Sequence, residues 1–170
     1  MSTPPFDTLA LRRAFGTFAT GVTVVTVGGP TPHGMTANSF TAVSLDPPLL
    51  LVCIEHNAVM HEALRSAGRF GVSVLAAGHA PLARYFADRR RPLGGEQFGP
   101  VDWQAGEHTG APLITGALAH FECGLWRSYD GGDHTIFLGR LLGMGSGAED
   151  EALLFHRGRI SAAHRSEVAA

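Results

Sequence analysis

Residues Gly34 to Ser39, reading Gly-Met-Thr-Ala-Asn-Ser and followed by Phe40 and Thr41, combine two properties that recognition of a flat ligand requires. Small side chains let a planar ring approach the backbone, while Thr36, Asn38 and Ser39 bring donors and acceptors to its edge. A heteroaromatic ring with apolar faces, a rim of carbonyls and ring nitrogens, and a phosphate tail suits such a segment. The same composition also fits a polar surface turn between two strands, and residue types alone leave both readings open. Arg89-Arg90-Arg91 is two-sided in the same way, either a solvated loop or a source of guanidinium for a pyrophosphate. His134, after Gly131-Gly132-Asp133, reads either as an ordinary histidine at a strand start or as a group beside a ligand. The nine histidines show no HExxH motif and no close pairing with cysteine, so no metal site is expected.

The surrounding pattern says which elements must position these residues. Asp7 is placed to cap a helix with Leu11, Ala14, Phe15 and Phe18 on one face, ended by Gly21. Val22 to Val27, β-branched throughout, predicts a strand running into a turn at Gly28-Gly29-Pro30. Leu49 to Ile54 is an apolar run of strand length, which predicts burial on both faces, and Asp46-Pro47-Pro48 separates it from the polar segment. Asn57 is placed to cap a helix to about Ala67, followed by a strand at 70–75 and a short helix at 79–87. Asp88 to Gly95 reads as a loop. Further strands are expected at 113–116, 117–128, 134–144 and 152–156, with a hairpin at Tyr129 to Asp133 whose adjacent glycines supply positive φ angles.

Many strands, short turns and few helices predict a mainly β fold, an antiparallel barrel that leaves no exposed sheet edge. No GxGxxG follows a strand, so a Rossmann dinucleotide site has no support. The 170 residues suit a single domain, with 1–7 and 165–170 expected to be disordered. Every basic residue but histidine is arginine, which excludes a Schiff-base or P-loop lysine, and no basic stripe points to nucleic acid. Cys53 and Cys123 lie in apolar runs without CxxC spacing and are expected as buried free thiols. No apolar run approaches the ~20 residues that cross a bilayer and no signal-like N-terminus is present, so a cytoplasmic protein without a membrane partner is expected.

The stretch Gly34-Met35-Thr36-Ala37-Asn38-Ser39-Phe40-Thr41-Ala42-Val43-Ser44-Leu45-Asp46-Pro47-Pro48-Leu49 resembles the signature of the flavin reductase family that partners flavin-dependent monooxygenases. Cys53-Ile54, Leu82 to Ala87, Ala119 to Cys123 and Gly132-Asp133-His134-Thr135-Ile136-Phe137-Leu138-Gly139 resemble the later blocks of that family in the same order. The likeness runs from about Leu11 to Ile160 and extends to reductases serving hydroxylases and halogenases in enediyne biosynthesis.

That resemblance implies a homodimeric split β-barrel of Greek-key type, binding FAD or FMN near the subunit interface as an exchangeable substrate and taking a hydride from NADH. It implies that Met35, Thr36, Ala37, Asn38 and Ser39 contact the flavin, with Cys53, Ile54, Glu55, Asn57 and Phe86 lining the same pocket, and Arg89 is the guanidinium candidate from the arginine run. His134 is implied beside the nicotinamide, as the candidate catalytic group. Where this chain has Asn57 the family often carries a hydroxyl residue, and where it has Arg140 the family usually carries an acid. The implied partner is a monooxygenase, hydroxylase or halogenase that receives reduced flavin. A flavin carrier without reductase activity and a flavin-dependent oxidase on the same fold are the alternatives.

Overall fold

A computed structural model describes residues 6–163. Its elements follow the chain as helix α1 (Thr8–Phe15), strands β1 (Thr20–Gly21), β2 (Thr23–Val27), β3 (His33–Ala37), β4 (Thr41–Leu45) and β5 (Pro48–Glu55), then α2 (Val59–Ala67) and β6 (Arg69–Val74). A 3-10 turn at Ala77–His79 leads into α3 (Ala80–Ala87), and a second one spans Gly94–Phe98. Strands β7 (Trp103–Ala105), β8 (Pro112–Ile114), β9 (Ala119–Gly131), β10 (His134–Ser146), β11 (Leu153–His156) and β12 (Arg159–Ala162) complete it. The protein is therefore mainly β, with antiparallel sheets and three short helices.

Seven strands form the main sheet in the order β3-β2-β6-β9-β10-β5-β4. Its two edges, β3 and β4, are joined only by Asn38, Ser39 and Phe40. Such a link reaches about 14 Å at full extension, whereas seven flat strands would hold their edges about 29 Å apart. The sheet must therefore curl until its edges approach each other.

Inside that curl, Val25, Leu50, Val52, Ile54, Phe70, Val72 and Phe137 pack with Met60 and Leu64 of α2. A second cluster sets Val22 and, in β2, Val24 against Ala83 and Phe86 of α3, with Phe98 and Ile114. β2 is buried on both faces, as its unbroken β-branched run demands. β5 is not: Leu50, Val52 and Ile54 face the core, while Leu51, Cys53 and Glu55 lie on a half-buried face. Burial on both faces was expected there, and the period of two along a strand is what separates the sets.

Four other expectations need correction. α1 is capped by Asp7 but ends at Gly16, so Phe18 lies outside the helix, and none of its residues is buried. The N-cap of α2 is Ala58, not Asn57, and makes no side-chain capping bond. In the β9–β10 turn only Gly132 has a positive φ, +82°, while Gly131 pairs with His134 in the ladder. The small polar segment 34–45, which lies between the two apolar strands, is not a surface turn but itself belongs largely to strands β3 and β4. Of the residues expected to be disordered, 1–5 and 165–170 lie outside the described residues, and Asp7 serves as the helix cap.

Candidate functional site

Because β3 is an edge strand, only alternate backbone groups pair with β2. Gly34 shows which groups face outward: its N–H donates to Gln97 Oε1 at 2.9 Å, and its carbonyl accepts from Arg91 Nη2. Backbone direction alternates along a strand, so Thr36 turns its own N–H and carbonyl the same way, one step nearer the β3–β4 link. Gly34 packs against aromatic rings as no other residue would, since a Cβ there would meet Phe86 atoms at 2.7 and 2.9 Å.

From this edge opens a cleft of about 360 Å³. That size falls within the usual range for a small-molecule site. Met35, Thr36, Ala37, Asn38 and Ser39 line it from β3 and the link, and Cys53, Glu55 and Asn57 line it from the end of β5. Phe86, Arg89, Arg91 and Leu93 approach from α3 and its following loop, and His134 from the start of β10. The polar groups are not equally available. Thr36 donates its hydroxyl to the Ala83 carbonyl at 2.6 Å. Ser39 Oγ donates to the Cys53 carbonyl at 2.9 Å and accepts from the Cys53 N–H at 3.0 Å, so the hydroxyl clasps the link to β5. Backbone groups at the β3 edge and the exposed side chains of Asn38 and Asn57 are thus what the cleft offers a ligand rim.

Charge is concentrated at the rim. Arg89 Nη2 contacts Glu55 Oε2 at 2.7 Å, and Glu55 lies opposite His134 in the β5–β10 register. His134 Nδ1 sits 2.6 Å from Asp133 Oδ1, a contact that holds the Asp133 carboxyl below the ordinary range. Arg91 is half-buried, donates to the Asp88 carbonyl at 2.8 Å and stands 5.6 Å from the Phe86 ring centre. Arg90 turns away and pairs with Asp88 at 3.0 Å. The arginine run therefore splits: Arg89 and Arg91 face the cleft and Arg90 faces solvent. Burial pushes the Cys53 thiol up and, with Cys123 driven up to about 12, leaves neither sulfur inclined to ionise. Among the described residues no group of three or more His, Cys, Asp or Glu is arranged to hold a metal ion.

Apart from Arg90 of the arginine run, the structure brings together every residue named from the sequence except Ile54. Its side chain is fully buried in the core, on the opposite face of β5 from Cys53 and Glu55. Asn57, released from the capping role, lines the cleft instead. Sequence reasoning missed His33, Ala58, Val59, Ala87 and Leu93 as lining residues, and named Arg91 only as one of a run of three. His33 was within reach, since it shares strand parity with Met35 and Ala37. Choosing Arg91 over Arg90 required the loop's conformation.

The flavin reductase like domain model matches residues 15–164 of this chain. The chain belongs to the flavin reductase family. Its homologues include an NADH-dependent FAD reductase of Streptomyces globisporus, 57% identical over 156 residues, covering 92% of this chain and 86% of the relative. Among solved structures it resembles BorF, the flavin reductase component of a bacterial two-component tryptophan halogenase. That match has a TM-score of 0.89 at 56% identity and covers 92% and 98% of the two chains. The Streptomyces globisporus C-1027 NADH:FAD oxidoreductase SgcE6 in complex with NAD and FAD fragments matches with a TM-score of 0.89 at 51% identity, covering 100% and 99%. In this flavin reductase the departure at Arg140 falls on an exposed position of β10 outside the cleft lining.

Proposed function

We propose that this flavin reductase takes a hydride from NADH, delivers it to free FAD or FMN, and hands the reduced flavin to a partner monooxygenase, hydroxylase or halogenase. The observation that carries this reading is the cleft at the β3 edge of the sheet, where small residues, an outward-facing strand backbone and two guanidinium groups meet. A planar ring suits the width left by Ala37 and Ser39, its polar rim suits the Thr36 backbone and Asn38, and its phosphate suits Arg89. Hydride transfer between nicotinamide and flavin is supplied by the two ligands, so the protein's task is to stack and orient them.

In this reading Met35 to Ser39, Cys53, Glu55, Asn57, Phe86 and Arg89 hold the flavin. His134 positions the nicotinamide at the opening and is not an obligatory proton donor. The curled sheet closes as a split β-barrel with Greek-key connections, the whole chain is one domain, two copies form a homodimer, and the enzyme works in the cytoplasm. Reductase names among the most similar relatives favour this over a carrier or an oxidase.

Anaerobic mixing of the protein with NADH and excess flavin tests it. Catalytic bleaching of all the flavin is expected, and flavin that stays oxidised in the presence of NADH would mean a carrier. Asn38→Leu, which crowds the cleft, is expected to raise the flavin KM about tenfold or more. Unchanged flavin affinity in that variant would place the ring elsewhere.

A further inference from the structure

Gln97 lies outside the cleft, in the 3-10 turn Gly94–Phe98, and is wholly buried. Its side-chain amide is used at both ends. Oε1 accepts the Gly34 N–H at 2.9 Å and faces Arg91 Nε at 3.4 Å. Nε2 donates to the Gly94 carbonyl at 3.0 Å and the Pro32 carbonyl at 3.2 Å, and lies 3.3 Å from His33 Nδ1. Its backbone carbonyl accepts the Tyr85 hydroxyl at 2.7 Å, which fixes the turn to α3 independently of the amide.

The place where this amide acts is what matters. An edge strand has a free row of N–H and C=O groups, and Gln97 and Arg91 satisfy both groups of Gly34 as a neighbouring strand would. The next outward-facing residue is Thr36, whose backbone faces the cleft. Side chains therefore complete the strand edge at Gly34, and the edge opens for a ligand one step later. The clamp at Gly34 fixes the tilt and height at which Thr36 presents its groups.

We infer that Gln97 is a positioning residue for flavin recognition: through its clamp on Gly34 it sets the geometry of the Thr36 backbone at the ligand rim. This rests on the reading of the cleft as the flavin site. The acceptor half of the amide holds Gly34, and the donor half ties the turn at Gly94 to the chain entering β3 at Pro32.

The two halves separate by substitution. Gln97→Met matches the length and removes both ends. It is expected to raise the flavin KM about tenfold, since buried backbone groups are left unpaired, with kcat at saturating flavin and the NADH KM within about twofold. Gln97→Glu keeps an acceptor for Gly34 and loses the donation to Gly94 and Pro32. It is expected to hold the flavin KM within about threefold of the parent while lowering the melting temperature. Tyr85→Phe, which removes a bond to the same turn without touching the amide, is expected to lower stability and leave the flavin KM unchanged.

A flavin KM in Gln97→Met equal to the parent's, or a uniform loss in kcat and both KM values, overturns the inference. So does a flavin KM in Gln97→Glu raised as far as in Gln97→Met. If Gln97→Met does not fold, Gln97→Glu decides alone: a KM near the parent's is the expected result, and a tenfold rise overturns it. Flavin affinity of Asn38→Leu, measured in parallel, distinguishes the two levels. No change there defeats the cleft reading itself, whereas a change there without one in Gln97→Met defeats only the role of Gln97.

Discussion

His33 belongs to the edge strand, and its Nε2 lies 3.3 Å from Arg91 Nη2. A guanidinium has only donors to offer, so that ring nitrogen accepts and must stay unprotonated. Burial first, and Arg91 second, bring the His33 pKa down to about 4. Below pH 6.5 the unfolded chain binds a proton at this residue that the folded chain refuses until about pH 4. Stability from this group is therefore complete above 6.5 and falls as pH drops through that window. The loss has an upper bound of about 3 kcal/mol. Urea unfolding of the parent at pH 7 and pH 4.5 is expected to show this drop, and His33→Gln, which does not titrate, is expected to flatten it. An equal drop in both proteins would assign the acid lability to other groups.

At the scale of elements, the β9–β10 hairpin carries His134 to the cleft on a two-residue turn, Gly132-Asp133. Gly132 holds φ at +82°, which an L side chain adopts only with strain. Gly132→Val is expected to cost about 1–2 kcal/mol of stability. It should also raise the NADH KM more than the flavin KM, because the turn sets where His134 begins β10. Gly131→Ala is expected to cost less, since that residue lacks the positive φ, although its added Cβ would press on the His134 carbonyl oxygen at 3.1 Å and Ile136 Cγ1 at 3.2 Å. Equal losses in both variants, by thermal unfolding and steady-state kinetics, would show that crowding and not backbone conformation is decisive. Most strands were legible because β-branched runs and Gly-rich breaks are local signals, and the motif from Gly34 to Ser39 marked the cleft before its geometry was known. What was illegible depended on direction and register. Ile54 differs from Cys53 only in strand parity, Arg91 differs from Arg90 only in how one loop turns, and the short strand β1 exists because the distant β11 pairs with it.

The whole molecule leaves more apolar surface bare than one chain's fold requires. Helix α1 buries none of its residues; Phe15 and the neighbouring Phe18 are 71% and 78% exposed, and Leu45 at the end of β4 is 97% exposed. Monomeric proteins rarely leave large side chains of this kind uncovered in number, and a two-fold pair covers the same patch twice with one interface. The homodimer proposed above has a physical motive in these residues, because the curled sheet has already consumed the apolar faces it can bury by itself. Sedimentation equilibrium is therefore expected to return twice the chain's 17.9 kDa, and a stable 17.9 kDa species at micromolar concentration would refute the dimer. Phe15→Ser combined with Phe18→Ser is expected to shift the population toward monomer while the far-ultraviolet dichroism of the β fold stays unchanged, since neither ring is part of a core cluster. A dimer of undiminished strength in that double variant would move the interface away from α1, leaving Leu45 and the outer β4 edge as the surface to substitute next.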